Sequence, residues 1–525
     1  MHFFLKNGEK TMALFKHDRT QFNYIGKGLI VGILTGFVVS LFRLLIEVAL
    51  KLWMFLYQNI PAHPLLILLI LALCIGIPLL IGWLIKGHSD VTGSGIPQVE
   101  GQLIGDLEMN WWQVLWRKFV TGVLGIGAGL FLGREGPSIQ LGAAVGQGIA
   151  EQFNENRSFK RILIAGGAAS GLSAAFNAPI AGTLFVLEEI YHNFSPLVWI
   201  VSLTGAISAD FVSSSIFGLL PVLHVPVTRN FPLFDYWQIV LFGLLLGLCG
   251  YIYQRVLLVM PKLYAKIPKL PRIYHGLVPF LLVIPIGIFW ADTLGGGNAL
   301  ILALGVHTPV LLILIGLFLL RFLFSMVSYG SGLPGGIFLP ILSLGALLGA
   351  IYGTIMARVG LLPNSLIANL IIFGMAGYFA GISKAPFTAI ILITEMVGSL
   401  EHLLPLAIVS LLAYLIVDWL GGAPIYQSLL ERMTLKKKAD RSSGQLDRLE
   451  IPVFADGSFV NRQVRDIRWP DRSLLIAIRR GEHEIIPHGD TLIRSGDHLI
   501  LMIETDIRAN VYNHLQQMNT SSPKE

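Results

Sequence analysis

The chain has 525 residues, of which 54% are apolar and only 13% charged, with a mean hydropathy of +0.69, whereas a soluble protein carries about 25% charged residues. That composition excludes a soluble enzyme as the main body and points to a polytopic membrane protein. The formal net charge of +6 comes largely from Lys6, Lys10, Lys16 and Arg19 before the first apolar run, and from Arg432 and Lys436, Lys437 and Lys438 after the last. The positive-inside tendency places both ends in the cytoplasm. These clusters are therefore topology and lipid head-group signals at a cell (plasma) membrane, and no nucleic-acid partner is expected.

The N-terminal segment, 1–24, lacks a short apolar region ending in a cleavage site and is not read as a removable signal peptide. Beyond it, runs such as Leu65 to Leu84, Ile239 to Tyr253, Leu311 to Phe324 and Leu403 to Val417 carry few or no charges. Several approach the roughly 20 residues that span about 30 Å of hydrocarbon. Others are too short or too rich in glycine. With 56 glycines and 26 prolines in the chain, broken and tilted helices are expected, and irregular backbone at membrane depth survives only around protein or a watery cavity. An interior pathway is predicted. Cys74 and Cys249 lie within apolar segments, where packing is their expected role.

The first chemical motif is "GSGIPQ", Gly93 to Gln98. Pro97 marks a helix start, Gly93 and Gly95 allow a tight turn before it, and Ser94 supplies a hydroxyl. A helix start exposes unpaired N–H groups and a partial positive charge, which makes an anion site without a full cation; a plain N-cap in a loop is the competing reading. Glu100 and Lys118 follow, flanking or entering apolar segments, and a pairing between them stays open. In "LGREGPSIQLG" the grammar recurs: Gly133, Gly136 and Pro137 accompany another apolar run, with Arg134 and Glu135 at its start. A carboxylate there is held by the same dipole that attracts an anion, so the two compete for one seat, and protonation becomes reachable near physiological pH. An ionisable side chain inside the membrane is a functional candidate by default; a local Arg134–Glu135 pair is the bland alternative.

"AGTLFVLEEIY" ends an apolar segment with Glu188 and Glu189, about 100° apart if helical, so that one faces the interior and the other water. "SGLPGGIFLP" supplies a third helix start, with the amides of Ile337 and Phe338 free to point at an anion; its likeness to "TGSGIPQ" suggests one such motif per half of a duplicated chain. "GGAPIYQ" presents Tyr426, a phenol donor or an interfacial aromatic. From about residue 440 the texture turns soluble, with "SLLIAIRR" and "DHLILMIE" as alternating strands and 507–518 as a helix. No His/Cys/Asp/Glu cluster has metal-ligand spacing, so neither a metal nor enzymatic activity is expected.

Taken together, "GSGIPQ", "GREGP", "GGIFLP" and the tyrosine of "GGAPIY", in this order, resemble the CLC family of chloride channels and proton-coupled chloride antiporters. "GLSAAFNAPIAGTLFVLEE" and "ISKAPFTAIILITEM" add to the likeness, which spans about 25–432. The resemblance implies an all-α polytopic membrane protein of two inverted-topology halves with tilted and half-crossing helices, assembled as a homodimer with one pathway per subunit. It implies a chloride held by Ser94, Tyr426 and the Ile337 and Phe338 amides, Glu135 as the gating glutamate and Glu189 as the internal proton relay. Both carboxylates being present favours H+/Cl− exchange over a passive chloride channel gated by Glu135. Gln98 departs from several antiporter relatives, which often have an acid there. After a basic linker, 433–448, residues 449–518 resemble the TrkA-C domain, a small α+β regulatory module whose leading ligand class is a nucleotide, followed by a tail, 519–525. No resident cofactor is implied; chloride and protons are the transported ions.

Overall fold

In the computed structural model, all residues are described except Met1, 227–228, 268–269, 440–445, 454–456, 482, 505–510, 513, 517 and 519–525. The first half of the membrane part runs α1 (His2–Gln58), α2 (Leu66–Ile85), α3 (Ile96–Ile104), α4 (Trp111–Gly127), α5 (Glu135–Gln152), α6 (Arg157–Phe176), α7 (Pro179–Phe185) and α8 (Pro196–Phe217). The second runs α9 (Tyr236–Tyr264), α10 (Leu277–Trp290), α11 (Asn298–Val306), α12 (Leu311–Gly330), α13 (Phe338–Arg358), α14 (Ile367–Ser383), α15 (Pro386–Val397) and α16 (Leu403–Trp419), followed by α17 (Ile425–Ala439). Among the described residues, eight helices are long and apolar enough to cross a bilayer. The nine-residue α3 and α11 reach about 14 Å and cross only half of it.

Two pairs of helices, α5 with α6 and α13 with α14, form the buried centre, and glycine lets them approach backbone to backbone. Gly142 faces the Gly167 carbonyl and Gly146 the Leu163 carbonyl; in the second half Gly345 faces the Gly374 carbonyl and Gly349 that of Leu370. Without a hydrophobic drive between helices in lipid, such close van der Waals contact supplies much of the association. The matching glycines also fix which parts of the two halves correspond. The counterpart of "GREGP" is "GGIFLP", because α5 and α13 open equivalent pairs. The counterpart of "GSGIPQ" is instead Gly295–Asn298: Gly95 (φ 99°) and Gly297 (φ 114°) both take a left-handed conformation before a nine-residue helix. The sequence-based pairing of "TGSGIPQ" with "SGLPGGIFLP" is corrected accordingly; both contain Gly and Pro, and only the helix lengths and contacts separate them.

The halves meet at reciprocal contacts. Glu188 accepts hydrogen bonds from the amides of Phe387 (3.2 Å) and Thr388 (2.7 Å), at the start of α15. Glu395 accepts from Ile180 (3.1 Å) and Ala181 (2.7 Å), at the start of α7. Each helix thus caps the other, as an antiparallel pair related by a local twofold must. Both begin Ala-Pro, with Ala178 and Ala385 as N-caps, and proline is suited to the first helical turn, where its missing N–H leaves nothing unpaired.

The chain divides into two units after Leu430. The second unit holds a four-stranded antiparallel sheet of β1 (Leu446–Pro452), β2 (Ser473–Arg480), β3 (His483–Ile485) and β4 (Asp497–Glu504), in the order β1-β4-β2-β3. Leu449, Ile451, Phe459, Ile478, Leu499, Leu501 and Ile503 form its core. The two alternating runs expected as strands are β2 and β4. β1 and β3 escape that pattern: "LDRLEIP" is rich in charge, and β3 has three residues. Of the expected helix over 507–518, residues 511–512, 514–516 and 518 are helical, with Val511 and Leu515 in the core of the unit, and the rest lie outside the described residues, as does most of the linker "KKKADRSSGQ".

Candidate functional site

Main-chain hydrogen bonds stitch three of the glycine motifs together. Gly133 and Gly336 exchange two, each N···O 2.7 Å, as an isolated antiparallel bridge. The Gly93 amide donates to the Gly332 carbonyl (3.3 Å), and the Gly93 carbonyl accepts from Gly335 (3.0 Å). The starts of α3, α5 and α13 are thereby brought to one place. Gly136 has no room for a side chain because the Ser94 hydroxyl and carbonyl stand against it, and Gly95 lies against the Gly136 carbonyl and Gln140. The first turns of these helices each contain proline, Pro97, Pro137 or Pro340, so the remaining unpaired amides there are few and clustered.

Glu135 is the first residue of α5 rather than the residue before it. It is fully buried, and its carboxylate folds over Gly133 beside the Leu339 amide nitrogen and the Pro340 ring. The carboxylate therefore sits at the positive start of α13, where helix amides favour negative charge. The Ser94 hydroxyl, the Tyr426 phenol and Glu189 Oε1 are buried with no protein hydrogen-bond partner, and the Glu135 carboxylate has only its own amide and that of Leu339 close by. Burying such groups unpaired costs about 1–3 kcal/mol each, more for charged ones, and Glu135, Glu189 and Tyr426 are electrostatic neighbours, so an ion that hydrogen-bonds to the hydroxyls would offset part of that cost.

Ile337 is the N-cap of α13 and Phe338 its first residue. Phe338 packs with Phe379 (ring centroids 4.4 Å), Phe176 (5.3 Å) and Phe185 (5.6 Å), and Phe185 meets the Tyr426 ring edge-on at 6.1 Å. Tyr426, fully buried, is the second residue of α17 and no interfacial aromatic. Gln254 fixes the loop before it, donating to the carbonyls of Ile382 (2.8 Å) and Ala423 (2.9 Å). Glu135 and Glu189 both lie within electrostatic range of the Tyr426 phenol.

Glu188 and Glu189 diverge, but Glu188 turns to the start of α15 and not to water as expected, and the backbone that carries them is not α-helical. α7 ends in a π-helical turn, Val186–Ile190, an insertion that re-aims side chains and is frequent at functional sites. Glu188 is consumed in capping α15. Glu189, 4% exposed, is left over, with Glu100, Glu188 and Lys384 as its charged neighbours. Lys118, fully buried, gives its ammonium to the carbonyls of Val91 (3.0 Å) and Gly93 (2.7 Å), so its role is to hold the loop that carries Ser94. Sequence reasoning missed its counterpart Arg321, which donates to the carbonyls of Thr293 (2.8 Å) and Gly295 (3.0 Å) and to Ser343 (3.1 Å). It also missed Glu395, although "AP" followed ten residues later by glutamate recurs in both halves. Tyr329, whose hydroxyl faces Gly93, left no signal in the sequence.

A family profile described as voltage gated chloride channel matches residues 77–418, and one described as TrkA-C domain matches 448–516. A Klebsiella pneumoniae protein named H(+)/Cl(-) exchange transporter ClcA is 31% identical over 450 residues, covering 84% of this chain and 95% of its own. A solved structure of a slow cyanobacterial Cl-/H+ antiporter superposes with a TM-score of 0.75 at 32% identity, covering 80% of this chain and 99% of that one. A CLC-type fluoride/proton antiporter shares the fold, with a TM-score of 0.62 at 24% identity, covering 76% of this chain and 95% of that one.

Proposed function

This chain belongs to the voltage-gated chloride channel family, and from that premise we propose that it works as a proton-coupled chloride antiporter, exchanging H+ for Cl− across the membrane, with Glu135 and Glu189 as its two proton-handling groups. The observation that carries the assignment of residues is the set of buried, unpartnered polar atoms: Ser94 and Tyr426 hydroxyls, flanked by the carboxylates of Glu135 and Glu189. The hydroxyls and the Ile337 and Phe338 amides suit a halide, which takes hydrogen bonds and needs no full countercharge. Gly93, Gly95, Pro97, Gly136, Pro137, Lys118 and Arg134 shape and hold the helix starts around it.

Coupling follows from competition. Ionised Glu135 occupies the helix start that an anion would use, and protonation removes the charge that holds it there. Chloride binding thus favours the protonated, displaced side chain, and its loss favours return. Each ion shifts the equilibrium only by its differential affinity for the two states. Glu189, on the π-helical turn that ends α7, supplies protons from the other side. A passive chloride channel would use Glu135 alone and leave Glu189 without a task.

Reconstituted vesicles decide between them. An imposed chloride gradient is expected to drive uphill proton movement in the wild-type protein; Glu189→Gln is expected to abolish proton movement while chloride flux persists, and Glu135→Gln to abolish coupling as well. Chloride flux with no uphill proton movement in the wild type overturns the exchange reading. We further propose a homodimer in the plasma membrane with both termini cytoplasmic, no resident cofactor, and a nucleotide as the ligand of the TrkA-C unit. Thermal-shift screening of the full chain with adenine nucleotides is expected to show stabilisation, and its absence refutes the ligand class.

A further inference from the structure

Arg134, the residue before Glu135, does not pair with it: its guanidinium donates to Glu47 Oε1 on α1 (2.7 Å). The same oxygen accepts from Arg43 Nε (3.1 Å), one turn earlier on α1. Arg43 donates in addition to Asn177 Oδ1 (3.0 Å) and stacks over Phe217 at 3.9 Å. One carboxylate oxygen therefore bridges two guanidinium groups, and the trio carries one positive charge in excess. Asp210 stands behind it, reached through Asn177 and Ser214.

Three observations give this trio a use beyond bracing α1. The arginine side chains are 11% and 9% exposed, whereas Glu47 is 39% exposed, so the carboxylate is the part with freedom to swing out. Arg134 Nε is buried with no hydrogen-bond partner, leaving a charged donor unused. Both arginines act electrostatically on Glu135, and Asn177 ends α6 just before α7 starts, placing the trio at the end of α7 opposite Glu189.

We propose that Arg43, Glu47 and Arg134 form an anion-capture site in series with Glu135, at which an incoming small monovalent anion replaces the Glu47 carboxylate between the two guanidinium groups before passing to Glu135. This rests on the exchange reading above and adds a second displaceable carboxylate to it. Excess positive charge beside an anion's path raises the local anion concentration and the on-rate. The excess is one unit, so replacing Arg43 by a neutral residue cancels it and neutralising Glu47 doubles it.

The test uses the full chain reconstituted in one orientation in phosphatidylcholine vesicles, which offer no anionic lipid head-group to the arginines. Initial chloride flux is measured against chloride concentration on the side facing Arg134. Arg43→Gln is expected to raise the half-saturating concentration about three- to tenfold, Arg43→Lys to restore most of it, and Glu47→Gln to lower it, with the proton-to-chloride ratio constant throughout. A purely bracing role predicts that both neutral variants impair the protein in the same direction. Shifts of one sign, or none in either variant, overturn the proposal. A wild-type protein with chloride flux but no proton coupling overturns the exchange reading instead, and the capture site is then judged by the opposed shifts alone.

Discussion

Gly136 shows how much of this site depends on a missing methyl group. A Cβ added there would collide with the Ser94 hydroxyl and carbonyl, so Gly136→Ala forces the Ser94 loop away from the α5 start. At least about tenfold weaker chloride binding is expected, equivalent to about 1.4 kcal/mol, as read by calorimetric chloride titration. Lys118 and Arg321 are a second lesson at this scale. They occupy equivalent places in the two halves and satisfy equivalent carbonyls, those two and four residues before the left-handed Gly95 and Gly297. Lys118→Met leaves the Val91 carbonyl unpaired and that of Gly93 with the Gly335 amide alone, and a loss of about 1–3 kcal/mol is expected, measured by chemical unfolding in detergent. The residues named from the sequence as site candidates were legible because glycine, proline and charge stand out in an apolar chain. Arg321, lost within "LLRFLF", was not, since its role depends on carbonyls brought near only by folding.

Among the elements, the pair α7 and α15 is the most informative. Glu188 and Glu395 each accept two main-chain amides from the opposite helix, with the Thr388 hydroxyl (2.6 Å) as an extra donor to Glu188, so Glu188→Gln and Glu395→Gln should each destabilise by about 1 kcal/mol, the former slightly more, and lower the midpoint of thermal unfolding by comparable amounts. Unequal effects of several degrees would contradict the equivalence. The glycine contacts of α5 with α6 and of α13 with α14 are less forgiving: Gly146→Val and Gly349→Val both place branched carbon against backbone carbonyls, and neither is expected to yield monodisperse protein by size-exclusion chromatography. Hydropathy finds eight spanning helices, but not α5 and α6, which are central yet rich in glycine, alanine and polar residues. Their glycine content was readable; their place at the centre was not, because burial among other helices relieves them of the need to be greasy. The π-helical turn after α7 was equally hidden, since no residue type compels it.

For the whole molecule, division after Leu430 separates transport machinery from a unit with its own core. Within that unit Asp497, almost fully buried, accepts from Arg480 (2.8 and 2.7 Å) and from the Arg494 amide (2.8 Å). Despite the opposing cost of burial, these bonds hold its carboxyl below the usual carboxylate range. A depressed folded value means stability that is present above the unfolded value of about 3.9 and lost as pH falls through the folded one. Asp497→Asn is therefore expected to cost about 2 kcal/mol at neutral pH and to flatten the acid limb of the unfolding curve for this unit. Its sheet was half readable, two strands of four, because alternation shows only where one face meets a core and the other meets water. At the junction of the membrane halves, Gly133 and Gly336 lock peptide to peptide, a rivet through the point where the two copies of the fold cross. Those two amide protons should accordingly be among the last to exchange with deuterium, at the same rate whether the protein is held acid or alkaline once intrinsic chemistry is divided out.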